Sequence, residues 1–401
     1  MNNAFMNTYK RLPVTFVRGE GSFLFDINGK KYLDFGSGIA VNCLGHNYPP
    51  LVRAVTEQAA KYFHVSNYYS SDVSISFAEK LVEAASPLGI KKVFLANSGA
   101  EANEGACKLA RKYSLLKYGP GRHKIVTLKG SFHGRTITTL AATGQDKFHK
   151  DFGPFTEGFL HIECGDIDAL DKALDEKTTA GLLIEPIQGE SGIIPQSEEF
   201  IAAAAELCAK RDILFIVDEI QCGVGRTGTF LAIEQYKDKN GNPIKPDIVT
   251  LAKGLAGGVP AGAFLAGEKT SEVLSPGDHG STFGGNPIAA AAGLVVLKTI
   301  QDTEFLSDIV RKGEIIINGL KNHHLVKEVR GKGLIIGLDI EKEAWDVLEA
   351  GISRADNSKN QNGLLILSGG VNTLRVLPAY TILESEIDQG LEILSQVLDE
   401  V

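Results

Sequence analysis

Short apolar runs alternate with amphipathic segments through the middle of the chain. The runs have the length of strands and are rich in β-branched side chains, which is typical of buried strands. They are VFLAN (93–97), KIVTL (124–128), GLLIE (181–185), ILFIVD (213–218), DIVTLA (247–252) and GAFLA (262–266). Helical periodicity fills most of the intervals, most clearly over 100–117 and 200–212. Strands that alternate with helices predict an α/β fold with a mostly parallel sheet and helices on both faces.

The pattern differs at the two ends of the chain. FLFDI and KYLDF flank the turn residues Asn28 and Gly29 and predict a hairpin, which two amphipathic helices follow over 51–63 and 74–85. Beyond the central region come a helical stretch (294–313), a strand-like stretch (329–341), more helix, and a closing strand and helix. We therefore predict an N-terminal segment (1–48) that packs with a small α+β domain (297–401), and a large domain (49–296) between them.

Composition and charge narrow the class of protein. The chain has 401 residues, of which 43% are hydrophobic and 22% charged, as in ordinary globular enzymes. A formal charge of −8 gives no basic footprint for nucleic acid, and no apolar run is long enough to span a membrane. The five cysteines are widely spaced without a C-x-x-C pair, so we expect reduced thiols in the cytoplasm and no metal site.

Two polar residues end neighbouring candidate strands. Asp218 ends ILFIVD, and Lys253 directly follows DIVTLA. Ligands of open α/β sheets bind beyond the carboxyl ends of the strands, so both side chains are expected at one pocket. A lysine and an acid in one pocket suit an aldehyde cofactor that is bound to the amine and meets the acid at its ring nitrogen. Taken alone, a hydrogen-bonded strand-end aspartate and a solvated lysine explain the pair equally well.

Other predicted strands also end in groups that can bind a ligand. Ser98, Gly99 and Ala100 follow VFLAN and open a helix, whose free N–H groups suit a phosphate, although Ser98 is also an ordinary N-cap residue. Phe132 follows KIVTL and can stack on a flat ring or pack in the core. Arg135 can hold a substrate carboxylate through two parallel hydrogen bonds.

Four further polar residues extend the set, and two of them add the end of a fifth strand. His133 lies beside Phe132 and can contribute to the same site. The alternative is a structural histidine whose hydrogen bonds are satisfied within the protein. Glu185 ends GLLIE and Glu190 follows it, where they either pair with an arginine or face solvent, and Gln221 comes shortly after ILFIVD. Polar groups at one strand end are easily explained by chance, but at five ends they are not. Collectively they predict a ligand site along one edge of the sheet.

A glycine-rich motif in the same region suggests a different ligand, a dinucleotide. Residues 223–228 match G-x-G-x-x-G and follow a strand, as the dinucleotide-binding fingerprint does. However, Asn240-Gly241-Asn242-Pro243 cuts short any helix after the motif, and the acidic Asp247 begins the next strand instead of ending it. We therefore reject nicotinamide dinucleotide binding at this motif.

Motifs along nearly the whole chain resemble one known family. They are FVRGEGSFLFDINGKKYLDFGSGIAVNCLGH, NSGAEANEGACKLARKY, SFHGRTITTLAATGQ, IEPIQGESG, FIVDEIQCGVGRTG, PDIVTLAKGLAGGVPAGA, HGSTFGGNPIAAAAG and VRGKGLIIGLDI. In identity, order and spacing they resemble the class III (subgroup II) pyridoxal-phosphate-dependent aminotransferases, and within these the acetylornithine branch. The resemblance implies the fold type I of these enzymes, pyridoxal 5'-phosphate as cofactor, and a homodimer with a shared active site.

The resemblance assigns a role to each matching residue. It implies that Lys253 anchors the cofactor and carries the proton, and that Asp218 pairs with the ring nitrogen. The remaining cofactor-binding positions are Gln221 near the ring 3-oxygen, Phe132 and His133 at the ring, and Ser98, Gly99 and Ala100 at the phosphate, with Thr282 supplied by a neighbouring subunit. The implied substrate-binding positions are Arg135 and Arg375 for carboxylates, Glu190 as the group that masks Arg375, Ser281 near the acyl group, and Tyr9 at the entrance.

The implied reaction moves the terminal amine of N2-acetyl-L-ornithine to 2-oxoglutarate, giving N-acetyl-L-glutamate 5-semialdehyde and L-glutamate in arginine biosynthesis. Related enzymes act on ornithine, succinylornithine, succinyldiaminopimelate or 4-aminobutyrate, and these stay open as alternatives. GIAVNCLGH and FHGRTITTLAATGQ favour the acylated ornithine, because the other branches of the family differ there. Two alternatives from other classes are a nicotinamide oxidoreductase and a binding protein that keeps the fold without catalysis.

Overall fold

The computed structural model describes residues 4–401, so residues 1–3 of the predicted N-terminal segment lie outside the described residues. The strands are β1 (Phe16–Glu20), β2 (Phe23–Asp26), β3 (Lys31–Asp34), β4 (Ile90–Ala96), β5 (Lys124–Leu128), β6 (Phe159–Ile162), β7 (Thr179–Ile184), β8 (Ile187–Gln188), β9 (Ile194–Pro195), β10 (Leu214–Asp218), β11 (Ile248–Leu251), β12 (Gly262–Gly267), β13 (Val326–Lys332), β14 (Ile335–Ile340), β15 (Gly363–Leu365), β16 (Leu367–Ser368) and β17 (Thr373–Val376). The α-helices are α1 (Ser37–Ala40), α2 (Pro49–Lys61), α3 (Asp72–Ala85), α4 (Gly99–Tyr118), α5 (Ile137–Ala142), α6 (Ile167–Ala173), α7 (Glu198–Arg211), α8 (Pro287–Ile300), α9 (Thr303–Leu320), α10 (Ala344–Ser353) and α11 (Glu384–Glu400). Short 3₁₀ turns lie between them at Ser86–Leu88, Asp146–Phe148, Ala232–Gln235, Lys253–Ala256 and Asn357–Lys359.

A seven-stranded sheet in the order β4-β12-β11-β10-β7-β5-β6 forms the centre of the molecule. The five strands from β11 to β6 are parallel, and β12 runs antiparallel to both of its neighbours. Every residue of β7, β10 and β11 is buried, which explains why these strands are continuous apolar runs in the sequence. The predicted α/β fold with a mostly parallel sheet is confirmed.

The six predicted strands are all present, with ends that differ by up to three residues, and α4 buries the predicted face that includes Ala102, Ala106 and Leu109. The edge strand β6 and the helix α6 were missed. β6 has a neighbour on one side only, and its side chains are mostly half-buried or exposed. Its sequence, FLHI, therefore lacks the apolar continuity of the central strands.

The two ends of the chain meet in smaller sheets. The predicted hairpin forms as β2 and β3, and β3 pairs in parallel with β15 from the C-terminal region. A separate sheet has the order β13-β14-β17-β16. The predicted boundary after residue 296 falls within α8, and the division into an N-terminal segment, a large domain and a small domain stays a prediction.

Two predicted elements beyond residue 290 have the predicted type, but each of them divides into two. The helical stretch 294–313 is two helices, because Asp302 caps the second one by accepting hydrogen bonds from the N–H groups of Glu304 and Phe305. The strand-like stretch 329–341 belongs to a hairpin of β13 and β14. It turns at Gly333 with φ of 53°, where an added Cβ would lie 2.7 Å from the carbonyl oxygen of Arg226.

Among the helices of residues 4–401, none is both long enough and apolar enough to cross a bilayer.

Candidate active site

One cavity of about 400 Å³ gathers most of the predicted site residues, a size in the range of ligand pockets. Asp218 ends β10, and it pairs in the parallel ladder with Thr250 of β11. Lys253 comes three residues after Thr250, so the two side chains leave neighbouring strand ends on the same edge of the sheet. The predicted cofactor-binding residues in the cavity wall are Ser98, Gly99, Ala100, Phe132, His133, Asp218, Gln221 and Lys253, together with the substrate residue Arg135.

Lys253 has an unusual backbone and an unpaired ammonium group. Its φ of 48° lies in the left-handed region, which residues other than glycine rarely adopt and which concentrates at functional sites. Within residues 4–401 its Nζ takes part in no ion pair or hydrogen bond. Burial lowers the pKa of Lys253, the nearby Glu190 opposes that shift, and the charge of Arg375 adds to it. A lowered pKa favours the neutral amine, which is the form that attacks a carbonyl or accepts a proton.

The Asp218 carboxylate is held entirely by donors. Its Oδ2 accepts a hydrogen bond from Asn103 Nδ2 at 2.8 Å and faces His133 Nδ1 at 2.8 Å, while its Oδ1 accepts from the N–H of Ile220 at 3.0 Å. Because an ionised carboxylate only accepts, His133 Nδ1 must carry the proton of that contact. Asp218 is 2% exposed. Three donors around one buried carboxylate fix its position at the floor of the cavity.

Asn103 is the site residue that sequence reasoning missed. It lies on the buried face of α4 and is fully buried. Its Nδ2 also donates to the carbonyl oxygen of His133 at 2.8 Å, so one amide fixes both His133 and Asp218. The signal in the sequence was a polar residue among the alanines of an apolar helix face. A buried amide of this kind requires polar partners, which in this case belong to the site.

The start of α4 presents free donors to the cavity. The Ser98 hydroxyl caps the helix by accepting from the N–H of Glu101 at 3.2 Å, so the plain N-cap interpretation holds as well. The N–H groups of Gly99 and Ala100 donate no hydrogen bond within residues 4–401. A Cβ on Gly99 would lie 2.8 Å from the Ile220 side chain, so a larger residue fits there only if Ile220 moves. Two unpaired N–H groups at the positive end of a long helix dipole are suited to an anion.

Phe132 forms another part of the cavity wall, and a buried carboxylate holds its backbone. Glu185 is 4% exposed and accepts hydrogen bonds from the N–H of Phe132 at 2.9 Å and from the N–H of Gly189 at 3.0 Å. Burial raises the pKa of Glu185 to about 7, with Asp218 adding to the shift and the charge of His133 opposing it. Glu185 therefore ties the Phe132 loop to the turn that leads to Glu190.

Two arginines stand at different depths. Arg135 is exposed at the rim, with its guanidinium 3.9 Å from the ring centroid of Phe148 and 5.3 Å from that of Phe132. Arg375 is 4% exposed and pairs with Glu190 through Nη1 and Oε1 at 2.7 Å. Burial alone would raise the pKa of Glu190, but the charges of Arg375 and Lys253 together hold it below its usual range.

Five predicted residues are not part of the cavity wall in this single chain, namely Tyr9, Glu190, Ser281, Thr282 and Arg375. Tyr9 is 71% exposed near the N-terminus, beside the guanidinium of Arg11. Ser281 and Thr282 line a separate surface cavity, although the Ser281 hydroxyl accepts from Nδ2 of Asn97, which also lines the first cavity. The roles of Tyr9, Ser281 and Thr282 stay predictions.

Comparisons with known proteins agree with this geometry. The family model for class-III aminotransferases matches residues 4–398. An acetylornithine aminotransferase from Caldanaerobacter subterraneus is 48% identical over 99% of this chain and 97% of its own length, and one from Aquifex aeolicus is 45% identical over 98% and 99%. Among solved structures, an N-acetylornithine aminotransferase from Stenotrophomonas maltophilia has a TM-score of 0.82 at 36% identity and covers 98% of this chain and 97% of its own. An ornithine aminotransferase from Toxoplasma gondii has a TM-score of 0.90 at 31% identity, covering 99% and 93%.

The chain belongs to the class-III aminotransferase family. Enzymes of this family use pyridoxal phosphate, and the protein is accordingly a pyridoxal-phosphate-dependent aminotransferase.

The unpaired groups of the cavity fit that cofactor. Besides the Lys253 ammonium and the two free N–H groups of α4, the buried Oε1 of Gln221 has no hydrogen-bond partner within residues 4–401. A phosphate, an aldehyde and a ring bearing a hydroxyl and a nitrogen would supply a partner to each of these groups and to Asp218. Unsatisfied buried polar atoms in a native protein are uncommon and often mark a binding site.

Proposed function

We propose that this aminotransferase transfers the terminal amine of N2-acetyl-L-ornithine to 2-oxoglutarate. Many similar relatives bear the name acetylornithine aminotransferase, at 40–48% identity for several of them. The structural observation that carries the proposal is the pair of Arg375 and Glu190 beside Lys253. A covered arginine disfavours an α-carboxylate close to the reacting amine, so a donor binds by its far end. Once Glu190 moves aside, the same arginine accepts a dicarboxylate.

In this proposal the chain's own residues hold the cofactor as follows. Gly99 and Ala100, with Ser98, bind its phosphate, and Thr282 from a second subunit completes that contact. Phe132 would stack on the ring with His133 beside it, Gln221 would bind near the 3-oxygen, and Asp218 would keep the ring nitrogen protonated. When bound, pyridoxal phosphate supplies an aldehyde that combines with amines and a ring that takes up negative charge from the substrate carbon.

The proposed reaction has two stages, in which the donor first gives up its amine and the keto acid then accepts it. The first stage uses Lys253 and Arg135. The exposed guanidinium of Arg135 binds the α-carboxylate of the donor at the rim and directs the terminal amine into the cavity. Lys253 Nζ then takes the proton from the carbon that bears this amine and delivers it again at the next step. Its lowered pKa raises the share of the neutral, proton-accepting form. Water supplies the aldehyde oxygen, N-acetyl-L-glutamate 5-semialdehyde leaves, and the amine nitrogen stays in the site for the second stage.

The second stage uses Arg375. Glu190 swings away, and Arg375 binds the carboxylate of 2-oxoglutarate next to its keto group while Arg135 binds the distal carboxylate. A buried guanidinium without an anion is costly, so a carboxylate that moves between covering and uncovering it keeps the site stable in both stages. L-Glutamate leaves, and the cofactor is ready for another donor.

A panel of amine donors tests the substrate. We expect kcat/KM for N2-acetylornithine to exceed that for ornithine by about tenfold or more, because the acyl group removes an ammonium charge that would otherwise lie close to the Arg135 guanidinium. The measurement compares N2-acetylornithine, N2-succinylornithine, ornithine, succinyldiaminopimelate and 4-aminobutyrate with 2-oxoglutarate as acceptor. A higher kcat/KM for ornithine or 4-aminobutyrate would reject N2-acetylornithine as the preferred donor. The assignment to the class-III aminotransferases would still hold.

A variant at Glu190 tests the masking role. In Glu190→Ala, Arg375 loses its 2.7 Å partner and becomes open to the α-carboxylate of a donor. We expect the use of α-amines relative to terminal amines to rise by roughly 10- to 100-fold, the value of a hydrogen bond between charged groups. The readout is the ratio of first-stage rates with glutamate and with N2-acetylornithine. Glu234→Ala, which removes a half-buried carboxylate in another loop, is the control, and an equal ratio in both variants would remove the masking idea.

We infer that the enzyme is a homodimer whose subunits share their active sites. Large apolar side chains are exposed around Thr282: Tyr68 is 95% exposed and Phe283 61%. Asn67 Nδ2 donates to the carbonyl oxygen of Ser281 at 2.8 Å, so the segment that bears Tyr68 lies beside the Ser281–Thr282 loop. Exposed apolar surface of this kind is typical of a protein interface. Light scattering would reveal the dimer, and a monomer with full activity would contradict the shared site.

We also propose that the enzyme is cytoplasmic. All five cysteines are free thiols, as expected in a reducing compartment. Fractionation of cells that produce the protein is the direct test.

A further inference from the structure

A buried arginine joins the loop of the glycine-rich motif to the C-terminal sheet. Arg226 is 1% exposed, and no carboxylate of residues 4–401 pairs with it. Only its Nη1 donates hydrogen bonds, to the carbonyl oxygens of Leu334 at 3.1 Å and Pro378 at 2.5 Å, while Nε and Nη2 have no partner in that part of the chain. A buried cation that is only partly satisfied is costly, so its presence needs an explanation beyond filling space.

The two acceptors lie at adjacent ends of paired strands. Leu334 directly precedes β14, and Pro378 follows β17 by two residues. β14 and β17 are antiparallel, with Ile336 opposite Val376. One guanidinium therefore holds the start of one strand and the end of its neighbour. Both hydrogen bonds come from one nitrogen, Nη1, which lies between the two carbonyl oxygens.

Other contacts join the same segments. The N–H of Leu334 donates to the Arg226 carbonyl oxygen at 3.0 Å, and the Tyr380 hydroxyl donates to the carbonyl oxygen of Val224 at 2.9 Å. The Arg226 guanidinium lies 4.4 Å from the ring centroid of Tyr380. The motif of residues 223–228, which starts five positions after Asp218, is thus fixed to the C-terminal region at Val224 and at Arg226 itself.

The strand held in this way carries Arg375. We propose that Arg226 is a positioning residue that sets the place of β17, and through it the place of Arg375 relative to Lys253 and Glu190. The inference rests on the proposed function, in which Arg375 receives the carboxylate of the keto acid in the second stage only. Loss of Arg226 therefore acts on the acceptor stage more strongly than on the donor stage.

Two substitutions at this position test the proposal. Arg226→Met keeps the apolar bulk and removes both hydrogen bonds, whereas Arg226→Lys keeps a cation that can reach one of the carbonyls. We expect KM for 2-oxoglutarate to rise by about tenfold or more in Arg226→Met and by less in Arg226→Lys, since displacements near 1 Å have effects of this order. The single-turnover rate with N2-acetylornithine should stay within about twofold of the wild type.

Glutarate binding gives a readout that does not depend on turnover. This dicarboxylate has no keto group to react. Its dissociation constant, measured by calorimetry, should be lowest for the wild type, higher for Arg226→Lys and highest for Arg226→Met. Arg122→Met is the matched control. Arg122 is also buried and also donates to backbone carbonyls, those of Thr179, Arg211 and Asp212, but it lies away from the C-terminal sheet. The Arg122→Met variant should be less stable than the wild type, with an unchanged KM for 2-oxoglutarate.

The outcomes separate this inference from the proposed function. If wild type reacts with 2-oxoglutarate but not with N2-acetylornithine, the proposed donor is wrong, and the Arg226 comparison proceeds with whichever amine the wild type accepts. If wild type uses 2-oxoglutarate and both stages fall equally in the Arg226 variants, or neither changes, Arg226 has no positioning role. If Arg226→Met fails to fold, Arg226→Lys carries the test, because it loses at least one of the two hydrogen bonds and should still raise KM for 2-oxoglutarate. An unchanged KM there overturns the proposal.

Discussion

Lys253→Ala is expected to abolish turnover and the visible absorption of the purified enzyme. Proton transfer by a positioned side chain contributes roughly 10²- to 10⁴-fold to rate, and Lys253 in the proposed mechanism also anchors the cofactor, so activity should fall below detection. The structure supports this expectation, because Lys253 is a lysine of the cavity wall with an unpaired ammonium and a lowered pKa. The measurements are the absorption spectrum and the single-turnover rate with N2-acetylornithine.

The control for Lys253 is a lysine that is already paired. Lys269 lies near Asp212 and Asp247 at 3.3 and 3.4 Å, and it does not line the cavity. Lys269→Ala should keep both the spectrum and the rate. A visible band that survives in Lys253→Ala would show that a different lysine carries the cofactor, and the assignment of the site would then be wrong. A rate restored in part by added methylamine would separate the loss of the proton carrier from a general collapse of the cavity.

The fold and half of the site were accessible from sequence because they depend on local patterns. Each buried strand of the parallel sheet is an apolar run, and the residue after each run lies at the edge where ligands bind. Asp218 and Lys253 could be placed at one pocket by this rule alone. The helix that opens at Gly99 follows from its N-cap and its periodic alanines. In all these cases the information lies within about twenty residues of the chain.

The other half depends on contacts that no local pattern encodes. Glu190 and Arg375 pair across 185 positions, and the pairing requires the C-terminal sheet to dock on the turn after β7. The resemblance to a family suggested this pair, but periodicity did not. The rejected glycine-rich motif shows the same limit. Its glycines looked like a dinucleotide loop, whereas Gly225 and Gly228, with φ of 90°, shape turns around Arg226 that bring the two sheets together.

Asp218→Asn is expected to reduce kcat by roughly 10²-fold or more, equivalent to about 3 kcal/mol of transition-state stabilisation, by analogy with other preorganised electrostatic groups. In the proposed role the negative charge keeps the ring nitrogen protonated, and a neutral amide cannot do so. Asp247→Asn is the matched control, since Asp247 is a largely buried aspartate at the amino end of the neighbouring strand and accepts a hydrogen bond from the N–H of Phe215. It should change stability while kcat stays near that of the wild type.

The hydrogen-bond donors around Asp218 also predict an effect of Asp218→Asn on stability. Donors from Asn103 and His133 face Oδ2, and the N–H of Ile220 faces Oδ1, so the new amide N–H₂ of the asparagine meets a donor in either orientation. We therefore expect a lower melting temperature as well, by a few degrees for an unsatisfied buried donor. Asn103→Leu separates the two effects, because it removes one of these donors while the charge of Asp218 stays. Asp218→Asn combined with Asn103→Leu should then recover melting temperature but not kcat. Near-normal kcat in Asp218→Asn itself would show that the charge at this strand end has no part in the chemistry.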